Sequence, residues 1–579
     1  MSKNIVWIIF VLLIFPVKYP YAQNGKILYV GGEGEGNYTK IQDAINDAKD
    51  GYVIYVYPGY YNESLHINKS LTIIGANKQD TIIDGCGAYS AVYFLADKIN
   101  FSGFTIKNSS VAIYLQSNGN NIYENIIENC DKALLMENAD NNTIRDNIIR
   151  NINKSSFSWK YKFLSNNLSK NKGEFAFLQS RAFLKNFLSH NHLILPSYIL
   201  SNFQPVINTI CVLIKYSDNC NFIRNKFYEC NGTAIYIKSS KNINVSRNEF
   251  NNLSYGIICD FVSFIKIWKN KFLGGDSALQ FVASYDVTVI GNEIRNCFAF
   301  KNGSAIGMGI INFNSDTMKI SGNSIHNINF AGIVIFNTNN VIISNNSITN
   351  ISGEIVFNNT KGKISVGIAL FFSSNGTIYE NVIRDANNGV LIEFARNINI
   401  EKNKLENIDA YIIEGKDNSS SGIGITGFFV KNFNVKNNEI KKVNFCALFS
   451  SFSSDTVLQN NSIKDVEGNT SKIRRKTGVG FIIYCSKNNK IIGNYFHNIS
   501  SYSLILAFSL KNGIHFNKFY GKPSLTYLHA IFLNSFLNNW NKNYWEGWKW
   551  RIPKPIMGAC YFLFFAIPWI NFDWQPIVS

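Results

Sequence analysis

Apolar and polar positions along this chain recur in units of about 22 residues, far longer than the 3.6-residue period of a helix. Asparagine marks the unit. Asn125, Asn147, Asn225, Asn248, Asn270, Asn292, Asn323, Asn346, Asn381, Asn403, Asn438, Asn461, Asn494 and Asn517 all open the pattern Asn-x-(Ile/Leu/Phe). Fourteen positions before each lies a small or slender residue: Val111, Ala133, Cys211, Ala234, Gly256, Ala278, Gly309, Gly332, Gly367, Gly389, Gly424, Ala447, Gly480 and Ser503. The distance from an asparagine to the next small residue is elastic, and from Asn292 onward long and short spacings alternate. A rigid half and an elastic half at one period define a solenoid. Inside the unit, runs such as Gly332-Ile-Val-Ile-Phe336 and Val341-Ile-Ile-Ser344 predict short strands, with Gly, Asn, Ser and Asp at the turns. The pattern predicts an all-β parallel β-helix, coils about 4.8 Å apart, with asparagines stacked at one corner where their backbone adopts the left-handed bend. The long spacings predict loops leaving every second coil, about 9.6 Å apart.

Three segments depart from the repeat. Residues 1–22 read as a secretory signal peptide, with Lys3 ahead of the apolar run Ile5 to Phe15, and an uncleaved anchor as the alternative. Residues 23–90 form an N-terminal cap: a helix over 37–49 capped by Thr39, then strands at Tyr52–Tyr57, Ser70–Ile74 and Thr81–Ile83. Repeats fill 91–539, broken by an insert at 153–207 whose spaced Phe and Leu predict amphipathic helices or a folded flap. Residues 540–579, rich in Trp and Pro, read as an aromatic C-terminal cap. Its apolar run Ile556 to Ile567 is too short to span a bilayer but open to interfacial membrane association.

Strand alternation places every second side chain outside the coil. Four residues past each small residue runs an outward column that begins Leu115, Glu137, Lys215, Lys238, Asp260 and Val282. It continues as Phe313, Phe336, Phe371, Glu393, Phe428, Ser451, Tyr484 and Ala507. A row of outward rings is either a binding strip or a face covered by the elastic loops as a second core layer. As a strip, Phe313, Phe336, Phe371, Phe428 and Tyr484 would stack on sugar rings, with Glu393 as the hydrogen-bonding acid.

Composition adds little chemistry. Fifty-six Lys and Arg against 39 Asp and Glu give a formal charge of +17, spread without a basic run, which favours anionic partners such as acidic glycans and marks no nucleic-acid site. Ten cysteines form no disulfide or metal spacing, and Cys130, Cys230 and Cys297 share one repeat position. His190 and His192 make the one close histidine pair, and no metal or cofactor site is predicted. Glycoside hydrolysis wants two carboxylates about 5–10 Å apart. Asp260 and Glu393 are too many coils apart, and the loop acids Glu354, Glu414, Asp417, Asp465 and Glu467 cannot be placed from sequence. Arg384, Arg396, Arg474 and Arg475 show no acidic partners in the sequence.

The ladder, with the openings Tyr38-Thr-Lys-Ile-Gln-Asp-Ala-Ile45, Val56-Tyr-Pro-Gly-Tyr-Tyr-Asn-Glu63 and Leu71-Thr-Ile-Ile-Gly75, resembles the pectin-lyase-like superfamily. More narrowly it resembles surface proteins with NosD-type carbohydrate-binding and sugar-hydrolase repeats. The resemblance implies a single-stranded right-handed parallel β-helix. It leaves activity open, because such repeats serve enzymes and non-enzymatic surface proteins alike. Copper maturation, tied to NosD proteins, finds only five Met and no ligand cluster here. The expected function is an exported, extracellular or cell-surface protein that binds glycan or envelope polysaccharide. The alternatives are a polysaccharide lyase or hydrolase, with catalytic residues unassigned, and a structural or adhesive rod.

Overall fold

The computed structural model describes residues 26–153, 209–301, 304–357, 360–363, 365–409, 411–414, 417–420, 422–470, 475–521, 528–562 and 565–578. The signal segment, the insert from residue 154 onward with His190 and His192, and Arg474 lie outside them.

Each coil contributes three short strands. One coil runs Met308–Phe313, Asp316–Ser321 and Ser324–Ile328, and the next runs Ala331–Phe336, Asn339–Ser344 and Ser347–Ile351. They stack in parallel, with Ile310 opposite Ile333, Met318 opposite Val341 and Ile325 opposite Ile348. Repetition of this pairing links 54 strands into one parallel β-helix. Aliphatic side chains from all three faces fill its interior: Ile333, Ile335, Val341, Ile343 and Ile348 are all fully buried. Ala331–Phe336 is covered on both sides and reads as a near-continuous apolar run, whereas Asn339–Ser344 and Ser347–Ile351 alternate buried and exposed positions.

The small column faces a close approach between coils. A Cβ on Gly332 would lie 2.6 Å from the Gly367 carbonyl oxygen and 2.8 Å from Ile348 Cγ2. From Ala133 to Ser503 each small residue pairs with the next, as the spacing predicts. The first coil is the exception. Val111 pairs with Lys132 and Ile113 with Leu134, so Ala112, not Val111, stands opposite Ala133. Leu115 is therefore a core residue, fully buried, and Gln116 takes the outward position. That coil is one residue shorter than the asparagine spacing indicates.

All fourteen asparagines stack at one corner, each at most 1% exposed. Asn381 shows the bonding. Its Oδ1 accepts from Asn346 N (3.0 Å) and Asn346 Nδ2 (2.9 Å), and its Nδ2 donates to Asn403 Oδ1 (3.0 Å) and the Ile343 carbonyl (2.8 Å). A carboxamide suits this place because two donors and two acceptor lone pairs are all used. The left-handed bend falls one residue earlier than expected, as at Asn345 (φ 54°), Glu380 (φ 52°) and Lys402 (φ 54°). The bend turns the following asparagine inward. Two further rungs close the ladder: Asn517 donates to Asn543, and Asn543 to the buried Asp573 carboxylate at 3.0 Å.

The elastic loops are hairpins. Glu354–Phe357 with Thr360–Lys363, Tyr411–Glu414 with Asp417–Ser420, and Asn469–Thr470 with Arg475–Lys476 pair edge to edge into a six-stranded antiparallel sheet. A fourth hairpin joins Phe300–Lys301 to Ser304–Ala305. Two strands span about 9.6 Å, which equals two coil rises, so loops on alternate coils meet as neighbours in a sheet.

At the N-terminal end a strand, Ile27–Val30, precedes the helix Ile41–Asp47. Ile41, Ala44 and Ile45 are buried against the interior. The N-cap is Lys40 rather than Thr39, and no side chain of the helix caps it. Glu63 does so from the link between the strands Gly59–Asn62 and Leu65–Ile67, accepting from Ile41 N at 2.8 Å and Gln42 N at 2.9 Å. A carboxylate there complements the positive end of the helix dipole. At the other end, strand pairing continues through Tyr544–Trp545 and finishes in an antiparallel hairpin, Lys554–Phe562 with Phe565–Asp573. No helix among the described residues is long and apolar enough to cross a membrane.

Candidate functional site

The predicted ring column points away from the interior but is covered. Phe371, Phe428 and Glu393 are fully buried, Phe336 is 3% exposed, and Phe313 and Tyr484 are 5% and 6% exposed. Phe313, Phe336 and Phe371 form a cluster separate from the main core, with Met308, Ile311, Val334 and Ala369. Their rings stack at 5.2 and 4.7 Å. The hairpins enter immediately before the strands that carry Phe313, Phe371, Phe428 and Tyr484. Of the two arrangements the sequence allows, the structure adopts the second core layer, and these rings offer no open stacking face.

Glu393 interrupts that layer. It pairs in register with Phe371 on one side and Phe428 on the other, and neither carboxylate oxygen has a hydrogen-bond partner among the described residues. Burial pushes its carboxyl well above the ordinary 4.5. The unpartnered hydroxyl of Thr426 is on the same outer face, one coil on, opposite Leu391. The earlier part of the column holds internal pairs. Lys215 Nζ pairs with Glu137 at 3.1 Å, and Tyr236 Oη donates to Asp260 at 3.0 Å. Asp260 and Glu393 are five coil steps apart, about 24 Å at the strand spacing, and cannot act on one glycosidic bond. Arg384 does have an acidic partner: its Nε lies 3.3 Å from Glu406 across the strand pair. Asp465 accepts from Asn498 at 2.6 Å, while Glu354, Glu414, Asp417 and Arg475 have no described side chains.

The exposed aromatic feature lies one residue further along each coil. Phe372, Phe394, Phe429, Phe452 and Phe508 occupy the corner after the ring strand. All have left-handed backbone, φ 51–54°. Phe372, Phe429 and Phe508 are 48%, 42% and 45% exposed. Phe372 to Phe452 stack in series at 5.1, 5.3 and 4.9 Å with interplanar angles of 6–13°. Tyr484 sets its ring edge-on to both Phe452 and Phe508, where Cys485 interrupts the stack. In the two preceding coils the corner holds Asn314 and Asn337 at the same positive φ. Asparagine tolerates this backbone, whereas a bulky residue is strained by about 1–3 kcal/mol. Exposed phenylalanine at successive corners thus carries a cost in both strain and solvation that turn formation does not require.

Two residues beyond this ladder runs a second column, paired coil to coil: Ser374, Arg396, Lys431, Ser454 and Lys487. The three cationic residues are exposed. Beside it is a rail of amides, in which Asn432 donates to Asn397 at 2.8 Å and Asn397 to Asn375 at 2.9 Å. The sequence ruler ends at the fourth position of each strand and misses this ladder. Read one residue further it shows six phenylalanines, Phe261 standing apart from the other five, but turn chemistry predicts asparagine or glycine there.

Comparison with known proteins fits this architecture. The right-handed β-helix region model matches residues 196–310 and 300–463, and the periplasmic copper-binding protein (NosD) model matches 45–252. These matches support a right-handed β-helix, the fold that the strand pairing shows. It is similar to a cell surface glycoprotein of Methanothermus fervidus, 35% identical over 96 residues, which is 16% of this chain and 16% of that protein's length. Among solved structures it resembles a family 28 exopolygalacturonase of Yersinia enterocolitica, at 12% identity over 78% of this chain and 79% of that one, TM-score 0.32. It also resembles tailspike protein 3 of bacteriophage CBA120, at 10% identity over 94% and 67%, TM-score 0.33.

The described residues do not fit a copper centre. No group of three or more His, Cys, Asp or Glu converges among them. The Cys211 and Cys230 thiols meet in the interior, both buried, with Cys211 pushed well above its ordinary value by burial. All ten cysteines are unpaired.

Proposed function

We propose that this chain is an exported cell-surface β-helix protein that binds an acidic polysaccharide along the phenylalanine corner. The observation that carries the reading is the replacement of asparagine by exposed phenylalanine at a strained corner, next to an exposed line of Arg396, Lys431 and Lys487. Stacked rings cover one another's faces and turn their edges outward. The edge of an aromatic ring carries the positive side of its quadrupole, so it suits anionic groups rather than sugar C–H faces or nucleic-acid bases. Cations and amides in register supply partners for carboxylates and hydroxyls. A solenoid repeats these groups about every 4.8 Å, which suits a linear polymer lying along its axis. The similarity to a cell surface glycoprotein and to the NosD family supports an exported location.

The intact protein should be screened on a glycan array, with hits titrated against Phe429→Asn and Lys431→Ala. The reading predicts hits among uronate- or sulfate-bearing chains, binding that weakens with salt, and loss of binding in Phe429→Asn without loss of folding. Failure to bind any acidic glycan, or unchanged affinity in Phe429→Asn, would overturn it.

A further inference from the structure

The C-terminal hairpin, unlike the loop hairpins, ends the stack of coils, and its two faces are informative. Between Lys554 and Asp573 the eighteen residues 555–572 contain no charged side chain. The strands pair antiparallel, with Gly558 opposite Trp569 and Cys560 opposite Ile567 on one face, and Met557 opposite Ile570 and Pro555 opposite Phe572 on the other. Near the base the first face enters the solenoid, where Ile556 and Asp573 are buried. Further out both faces are wet. Trp569 and Ile567 are each 50% exposed on one side and Ile570 is 46% exposed on the other, where Phe572, nearer the base, is 38% exposed. The solenoid holds the hairpin by few pairs: Phe532 with Gly558, Leu533 with Ala559, and Trp540 with Asp573.

A protein partner would cover one face of such a ribbon. A ribbon that is apolar on both faces matches surroundings that are apolar on every side. We propose that this hairpin is a lipid-surface anchor that dips its outer half into the interface of a membrane with anionic headgroups. The base carries the matching chemistry: Lys549 and Arg551 are exposed, and Trp550 and Trp574 are 61% and 64% exposed. Tryptophan favours the headgroup level and basic residues favour anionic lipid. Depth is limited by the backbone. From Cys560 to Pro568 the two described strands pair only with each other, so their outer edges would lack partners in hydrocarbon. The anchor therefore lies at the headgroup–acyl boundary and does not span.

Vesicle flotation of the full chain tests this, using phosphatidylcholine with and without phosphatidylglycerol, alongside the variant Trp569→Ser/Ile570→Ser. The expected result is flotation with the anionic vesicles, weakened by salt, and a partition coefficient about tenfold lower in the variant, with its thermal melt unchanged. A wild-type chain that does not float, or a variant that floats equally well, overturns the proposal. If the wild type stays with the protein fraction and sediments as an oligomer that the variant dissolves, the hairpin is a chain-to-chain contact instead.

Discussion

At the scale of single residues, bonding and burial separate positions that the sequence treats alike. Removing Asn381 strands the backbone and side-chain amides of Asn346 that donate to it, and the Ile343 carbonyl that it satisfies. Asn381→Ala should cost at least the about 1–3 kcal/mol of one orphaned buried group, read as a shift in denaturation midpoint. The adjacent pair Phe371 and Phe372 should respond in opposite ways. Phe371 is fully buried, so Phe371→Ala should cost about 3–5 kcal/mol as a cavity. Phe372→Asn replaces a strained, exposed ring with a residue suited to φ 54°, and its melt should stay within about 1 kcal/mol of wild type. Glu393 gives a pH prediction. Its carboxyl is raised by burial, so the folded chain holds a proton there that the unfolded chain releases above about 4.5. Stability therefore falls as pH rises from that value through the raised one, and then levels. Glu393→Gln should flatten this slope and melt higher at neutral pH, by about 1 kcal/mol or more, the worth of one pKa unit. A Glu393→Gln protein with a lower neutral-pH melt would mean that the carboxylate is stabilised in the fold. The asparagine ladder was legible because its spacing is rigid and its bonding is local. The buried state of Glu393 and the rings was not, because it depends on what the elastic loops do after they leave the coil.

At the scale of elements, the alternation of long and short spacings records a fit between two kinds of β-structure. A two-stranded hairpin is as wide as two coils are tall, so hairpins on alternate coils share edges, as Lys361 pairs with Ile413 and Ser419 with Thr470. Replacing 411–420 by a short turn removes the middle hairpin. Hydrogen exchange at 360–363 and 469–470 should then accelerate at least tenfold, because both neighbours lose edge partners. Unchanged protection would mean that each hairpin is stable alone. The sequence disclosed the positions of these loops but not their pairing, since hairpin side chains follow no repeat. The N-terminal helix was legible from Ile41, Ala44 and Ile45 on one face. Its cap was not, because Glu63 reaches it from more than twenty residues away.

At the scale of the whole molecule, one rule builds the fold, and its departures mark the places where it meets something else. Coils propagate by identical pairing until the helix closes one end and Asp573, Trp540 and Trp545 close the other. Along the side, one face is split by a single residue of register into a covered column and an open ladder. The fold class followed from period and turn chemistry alone. The location of an open aromatic surface did not, because strand alternation and corner geometry meet at the residue where the ladder begins. Hydroxyl-radical footprinting read by tandem mass spectrometry tests this division directly, with and without an acidic glycan that the array identifies. The account predicts fast oxidation of Phe372, Phe429 and Phe508, protection of Phe371 and Phe428, and slowing of the exposed set alone when the glycan binds. Equal oxidation within the pairs Phe371/Phe372 and Phe428/Phe429, or glycan protection that falls elsewhere on the solenoid, would contradict it.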